Sequence, residues 1–413
     1  TAYLAFVNNP LHTAEPLPRV LTALRVGVYA AGLMVLPLEL SADYSYNEIP
    51  IATGAGGPVE YAAVLFAALY LAVLLWSARR FPVVFFALSW SALTWLIVSN
   101  LLFPIGTIFG ERLLYMPSIG FALLLAAGIA RLGRLGGRWS AVAVALTVTL
   151  TGLFGARFVS RSADWSSDAT LFHSAVKTSP NSAKAHSNYG WTLHVAGRYE
   201  EAIEQYGRAL EIAPGLTGSG ISLARTLSAL GRHEEAIERY RAVLERDDGV
   251  SVAWSGLGLA QLAAGRPQEA EVSLRKALEL SLGGNAEALR GLAEVMAASG
   301  RELKAGEILE RLLTLSPAEP GLGEAFAEIQ YRLGTRALEA GQRDEFLVRM
   351  RRAVEADASH GPAHYNLALA ALESGDAAAA RRHAEAGLKA GYAFPDGFLQ
   401  ACGIAPPAPA PGR

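Results

Sequence analysis

Hydrophobic positions are distributed in two ways along this chain. Through roughly the first 160 residues they run almost without interruption, and beyond that point they fall into stripes at helical spacing. Four of the runs, residues 59–77, 81–103, 113–130 and 139–156, approach the roughly 20 apolar residues that a membrane-spanning helix needs. A fifth, residues 20–38, contains Arg25, which must snorkel or find a partner if that segment spans. The run 81–103 carries no charged residue and holds Trp90 and Trp95, a pattern that argues for a lipid environment over the interior of a soluble helical bundle.

In the second half the pattern repeats. Ala202, Ala236 and Ala270 are 34 residues apart, as are Gly197, Gly231 and Gly265, and Tyr206, Tyr240 and Leu274 follow the same step. That is the tetratricopeptide period. Small residues at 202, 236 and 270 let two antiparallel helices approach closely, the glycines end the first helix of each unit, and Pro214 and Pro317 close the second. Trp254 with Leu257-Gly258, and Asn188-Tyr189-Gly190, continue the pattern. Six units are expected to begin near Ala183, Thr217, Ser251, Ala286, Ala327 and Gly361, after a half unit over 165–180. The fourth is displaced by one residue at Gly283-Gly284. The fifth follows the insertion SPAEPGLGEAF and has Phe346 where a small residue is usual, which predicts a kink. The expected fold class is therefore all-α: a multi-span helical membrane domain over 1–160, a junction and half repeat over 161–182, a tetratricopeptide-repeat α-solenoid over 183–395, and a Pro/Ala-rich disordered tail over 396–413.

Charge narrows the function. The formal net charge of −2 gives no basic field for nucleic acid, and the single cysteine, Cys402, excludes an intramolecular disulfide framework. Arg79 and Arg80 lie in one connection, and Arg131, Arg134 and Arg138 in another two spans later, so both fall on the cytoplasmic side. The 39–58 loop, the 104–112 turn and everything after residue 156 then lie outside the cytoplasm. Arg157 and Arg161 dissent. The start TAYLAFVNNPLHTAEPLPR has neither an initiator Met nor the order of a signal peptide, which suggests part of a longer chain. Abundant Ala and Gly, with Arg far outnumbering Lys, suggest a GC-rich bacterium and hence its inner membrane.

No Walker loop, dinucleotide fingerprint, HExxH or nucleophile elbow is present, and no metal or cofactor is expected. His360 and His364 are four apart but straddle Gly361-Pro362 at a repeat boundary and read as turn and helix-start residues. Candidate chemistry concentrates on the non-cytoplasmic loops. LSADYSYNEIP offers Asp43, Tyr44, Tyr46, Asn47 and Glu48, and the turn PIGTIFGERLLYMP offers Glu111, Arg112 and Tyr115. An interfacial guanidinium suits a lipid phosphate, and a carboxylate beside it could hold the guanidinium or act as a base; the alternative is an interfacial Glu111-Arg112 ion pair with tyrosine anchors. On the solenoid, repeat position places Lys184, Trp191, His194, Arg225, Arg290, Glu294 and Tyr365 in the concave groove, with Trp191 as the candidate anchor for a partner protein. The alternative there is a set of solvated or locally packed side chains. An asparagine ladder that would clamp an extended peptide is only partial, with Asn188 and Asn366 present and Ser222, Gly256, Gly291 and Arg332 at the other steps.

In order, LSADYSYNEIP, SNLLFPIGTIFGERLLYMPSIGF, a basic loop, a last span, RSADWSSDATLF and PNSAKAHSNYG resemble the transmembrane and tetratricopeptide-repeat O-mannosyltransferases and their bacterial relatives over nearly the whole chain. The resemblance implies a multi-span C-type glycosyltransferase that moves a sugar from a polyprenyl-phosphate donor in the membrane lipid to a Ser or Thr hydroxyl on the lumenal or periplasmic side. Asp43, Tyr44, Glu111, Arg112 and Tyr115 match its motif positions. It also implies an acidic general base in the family's first non-cytoplasmic loop, which would precede Thr1, so the chain by itself is expected to be inactive and its repeats to bind the acceptor. A membrane-anchored scaffold that recruits an envelope protein through its repeats is the alternative.

Overall fold

The fold is known from a computed structural model that describes residues 9–45 and 48–404. Two loop candidates, Tyr46 and Asn47, and the tail PPAPAPGR lie outside the described residues. Among those residues the secondary structure is entirely helical, and the chain divides into two compact units, Thr1–Arg232 and His233–Arg413.

Five long apolar helices open the first unit: α1 (Pro16–Val35), α2 (Pro58–Arg80), α3 (Pro82–Val98), α4 (Tyr115–Gly133) and α5 (Arg138–Asp164). Proline sits at the start of α1, α2 and α3, where the missing N–H costs nothing and the fixed φ suits a helix. By length and composition α1, α2, α5 and the stretch Glu111–Gly133 are able to cross a membrane, and α3, at 17 residues, is at the lower bound. The expected run to residue 103 stops at Val98 because Asn100 takes a left-handed φ of 62° and turns the chain into an irregular loop. Asn100 is buried there at the centre of a network. Its amide donates to the Ile108 carbonyl at 3.0 Å, and its Oδ1 accepts from Ile105 N at 2.8 Å and from Asn9 Nδ2 at 2.7 Å.

Close approach of α3 and α4 explains Gly120. A Cβ there would lie 2.2 Å from Ser91 Oγ and 2.4 Å from the Ala87 carbonyl, so no larger residue fits. Ser91 Oγ and Trp90 Nε1 donate to the carbonyls of Pro117 and Met116 in the first turn of α4, which satisfies polar groups that hydrocarbon would leave unpaired.

After α6 (Asp168–Thr178), the half repeat, come α7 (Ala183–Val195), α8 (Tyr199–Ile212) and α9 (Thr217–Ala229). The unit boundary thus falls inside the second repeat rather than near residue 160. The second unit continues with α10 (His233–Leu244), α11 (Ser251–Ala263), α12 (Pro267–Leu280), α13 (Ala286–Ala298), α14 (Glu302–Leu315), α15 (Leu322–Glu339), α16 (Arg343–Ala356), α17 (Gly361–Glu373), α18 (Ala377–Lys389) and α19 (Phe398–Ala401). Gly197, Gly231 and Gly265 end their helices at φ of 74°, 75° and 77°, and Ala202, Ala236, Ala270, Ala305 and Ala380 are fully buried at the close helix contact. The first helix of the fifth unit starts at Leu322, not near Ala327: the insertion adds a turn, giving an 18-residue helix. Residues 396–404 are not tail. Phe398 stacks on Phe394 and packs on Tyr365, and Cys402 is buried.

Candidate functional site

The two membrane loops are stitched together by backbone. Tyr44 N donates to the Phe109 carbonyl and Glu111 N to the Ser41 carbonyl, both at 3.2 Å. Between them Gly110 passes so close that a Cβ would sit 2.8 Å from the Ala42 carbonyl. Tyr44 lies beneath this pairing, 1% exposed, its hydroxyl donating to Glu39 O at 2.7 Å and accepting from Ser41 N at 2.8 Å. Burial pushes its phenol well above the ordinary range, so it holds the loop as a neutral hydrogen-bonding group.

Two loop carboxylates expected on the donor side, and a serine between them, turn to the first repeat. Asp43 pairs with Lys184 at 3.0 Å, Glu48 Oε2 accepts from Asn181 N at 3.0 Å, and Ser45 Oγ meets Ser182 Oγ at 3.3 Å. Ser182 is the N-cap of α7, so two carboxylates face that helix's N-terminus, where the peptide dipoles favour negative charge. Lys184, expected in the groove, is therefore part of this seam.

Glu111 pairs not with Arg112 but with Arg161, one of the two arginines that dissented from the charge rule. Arg161 Nη2 lies 2.6 Å from Glu111 Oε1, both side chains are about nine-tenths buried, and Trp165 Nε1 donates to the same oxygen at 2.9 Å. Arg161 Nη1 also reaches Asp164 at 2.8 Å and Ser174 Oγ at 2.9 Å, tying the end of α5 to the half repeat. The other dissenter, Arg157, donates to the carbonyls of Pro37 and Leu38 at 2.6 and 2.8 Å. Both arginines have structural partners. Arg161 was legible by the same logic as Glu111, since an ionisable residue at the end of an apolar run needs a partner.

With Glu111 so occupied, the Arg112 guanidinium is exposed and makes no hydrogen bond or ion pair with any described residue. Tyr115, 74% exposed, stands one helical turn away. A pocket of about 450 Å³ between α1 and the loop before α2 is lined by Arg25, Tyr29, Tyr44 and Glu48. Sequence reasoning left Arg25 without a partner; it pairs with Glu60 at 2.7 Å, in the first turn of α2.

The groove candidates separate. Trp191 is half exposed. His194 Nδ1 is 2.9 Å from Thr226 Oγ1, and its ring lies 5.3 Å from that of Tyr199, while burial and then Arg225 hold its pKa down. In the second unit Arg290 pairs with Glu319, Glu294 is exposed, and Tyr365 is covered by Tyr392, Phe394 and Phe398.

The fourth residue of a repeat's first helix does one recurring job. Trp254 Nε1 donates to Asp248 O at 2.8 Å, and His186 Nε2 and His364 Nε2 meet Pro180 O at 3.0 Å and Ala358 O at 3.2 Å, in each case six residues back. His364 is thus a helix-start tie, and His360 caps α17 by accepting from Ala363 N at 3.2 Å. Among the described residues no group of three or more His, Cys, Asp or Glu side chains is placed to hold a metal ion.

Tetratricopeptide-repeat family models match residues 183–216, 221–281, 257–320 and 361–386. Tmtc3 of Drosophila melanogaster, named a protein O-mannosyl-transferase, is 30% identical over 227 residues, which is 53% of this chain and 24% of that protein. TMTC1 of Mus musculus, named likewise, is 32% identical over 204 residues, 48% of this chain and 22% of its own. A solved repeat protein, YrrB, is 19% identical with a TM-score of 0.38 over 47% of this chain and 96% of its own. The chain matches about a quarter of the length of these curated relatives. It is a tetratricopeptide-repeat chain with apolar helices able to cross a membrane, and over about half its length it is similar to the protein O-mannosyl-transferases.

Proposed function

We propose that this chain serves protein O-glycosylation: the hydroxyl oxygen of a Ser or Thr in an acceptor bound by the repeats bonds to the sugar C1 as the C1–O bond to phosphate breaks, polyprenyl phosphate leaves into the membrane, and the hydroxyl proton passes to solvent. The repeats would lie on the extracytoplasmic side, in keeping with the arginines of the 79–80 and 131–138 connections. One observation carries the assignment of the donor side: Arg112 is exposed and unpaired on the loop surface while its neighbour Glu111 is locked to Arg161. A guanidinium so placed neutralises a phosphate that gains charge as the C1–O bond breaks. Asp43, Glu48 and Glu111 are engaged by Lys184, Asn181 N and Arg161, so in this reading they hold the repeats against the membrane loops and none serves as the base.

Those same contacts favour the second reading, a membrane-anchored scaffold, because they fix the first repeat in place without any chemistry. The two are separated by incubating membranes that carry the full-length protein with radiolabelled polyprenyl-phosphate mannose. Label on protein that is released by β-elimination supports transfer; capture of a partner protein with no such label supports the scaffold.

A further inference from the structure

Helix α1 is apolar enough to span, yet its contacts follow an order that a spanning helix would not give. At its start, Thr22 Oγ1 accepts from Ala52 N at 2.9 Å, and a Cβ on Gly56 would meet Leu21 Cδ1 at 2.9 Å. Next, Arg25 pairs with Glu60 in the first turn of α2. Two residues on, a Cβ on Gly27 would lie 3.3 Å from Trp95 Nε1, one turn from the end of α3. Met34 then lies with Ser118 and Phe121 at the start of α4, and just beyond the helix the Pro37 and Leu38 carbonyls are taken by Arg157, two turns from the end of α5. Along its length α1 visits the same ends of α2, α3, α4 and α5 in turn.

Both of its flanks belong to one face. Before it, Asn9 donates to Asn100 Oδ1 and Ile105 O, each at 2.7 Å; after it, Ser41 and Tyr44 bond to Glu111 and Phe109. A 20-residue helix is about 30 Å long, so one crossing the bilayer would leave its flanks on opposite surfaces. Instead its buried stripe, Val26, Ala30 and Leu33, packs under Tyr44, Ile108 and Phe109 of the paired loops.

Adjoining that stripe and sharing Ala30 with it, a slot of about 240 Å³ faces the spans and is lined by Ala23, Gly27, Ala67, Tyr70, Ser91 and Trp95 among others. Two of the polar groups that border it are satisfied elsewhere, Tyr70 donating to Leu88 O at 2.7 Å and Ser91 to Pro117 O at 2.9 Å, which leaves the Trp95 indole N–H in an otherwise apolar lining. Apart from that one donor the lining is apolar, and at this depth between spanning helices the surrounding solvent is hydrocarbon. We propose that α1 lies in the membrane plane as a roof over the repeat-side ends of α2 to α5, and that the slot beneath it holds the hydrocarbon chain of a membrane lipid. This is independent of sugar transfer.

Two measurements test it in the whole protein. With Cys402 replaced by Ser, single cysteines at Glu15 and Glu39, which are exposed on either side of α1, are treated with an impermeant maleimide beside Val195→Cys in the repeats and Leu135→Cys between α4 and α5. An in-plane helix labels 15, 39 and 195 from one side and 135 from the other; labelling of 15 together with 135 overturns it. For the slot, the protein in phosphatidylcholine vesicles doped with a diazirine-tailed phosphatidylcholine is photolysed and the adducts mapped. Adducts concentrate near Tyr70 and Ser91, and are lost in Ala67→Phe but not in Val148→Phe on the exposed face of α5. Even spread over the exposed faces of α2 to α5 in the unsubstituted protein overturns the slot, whether or not Ala67→Phe folds.

Discussion

Asp43 of the loop before α2 and Lys184 of the first repeat form an ion pair at 3.0 Å. The residue types had suggested different jobs, a donor-side carboxylate and a groove cation. Their pairing joins the membrane loops to the repeat array and sets what substitution should do. Because the Lys184 side chain is about a third exposed, the pair is worth at most about 1 kcal/mol. Asp43→Asn should therefore leave the protein folded but speed amide exchange at the start of α7, and Asp43→Lys with Lys184→Asp should restore protection. Unchanged exchange in Asp43→Asn would remove the pair from the seam.

Glu111 and Arg161 are the stronger half of that seam. Leaving one charge of a buried pair without its partner costs about 3–5 kcal/mol. Arg161→Met is expected to loosen the α5 to α6 junction, seen as protease cleavage between residues 156 and 183 under conditions where the unsubstituted protein resists. Arg112→Ala, whose side chain has no partner among the described residues, should leave cleavage unchanged.

Much of this was legible in the sequence, for physical reasons that can be named. A 34-residue step in small residues has one structural meaning, and the glycines at 197, 231 and 265 stand where a left-handed turn ends a helix. Less legible was any partner set by tertiary contact. Nothing local says that Glu111 turns from its neighbour Arg112 to an arginine 50 residues away, or that Tyr365 is covered by the aromatic residues that follow the last repeat. Hydropathy also cannot tell an apolar helix that crosses a membrane from one that lies across the ends of others, because both bury a similar surface.

Asn100 combines a left-handed backbone with a buried hydrogen-bond network, and the two contributions can be separated. Asn100→Gly keeps the backbone and loses the side-chain bonds, while Asn100→Ala loses both. Each buried group left unsatisfied costs about 1–3 kcal/mol, and the left-handed alanine adds about 1–2 kcal/mol. Thermal unfolding in detergent should rank the unsubstituted protein above Asn100→Gly, and Asn100→Gly above Asn100→Ala. Equal midpoints for the two variants would show that φ is not a constraint there.

His364 and His383 meet Nδ1 to Nδ1 at 3.0 Å, and His364 Nε2 donates to Ala358 O. Neutral His364 therefore accepts at Nδ1 from His383. Burial holds both pKa values below the ordinary histidine value, with His360 adding to the effect at His364, and His364, Arg382 and Arg351 at His383. The unfolded chain takes up these protons at about pH 6.5 and the folded one only at lower pH, so stability is full above that value and is lost as pH falls below it. The unfolding midpoint should drop from pH 7 to pH 5, and the drop should shrink in His383→Gln, which keeps a donor toward His364 without titrating. An identical drop in that variant would place the pH dependence elsewhere.

The donor-side role of Arg112 is tested most directly by kcat/KM for transfer from polyprenyl-phosphate mannose, compared in the full-length protein with and without Arg112→Ala after equal membrane insertion has been verified. Loss of a charge-assisted contact to the departing phosphate predicts a fall of about 100-fold or more, with protease resistance at the α5 to α6 junction unchanged. Transfer at the unsubstituted rate in Arg112→Ala would contradict it.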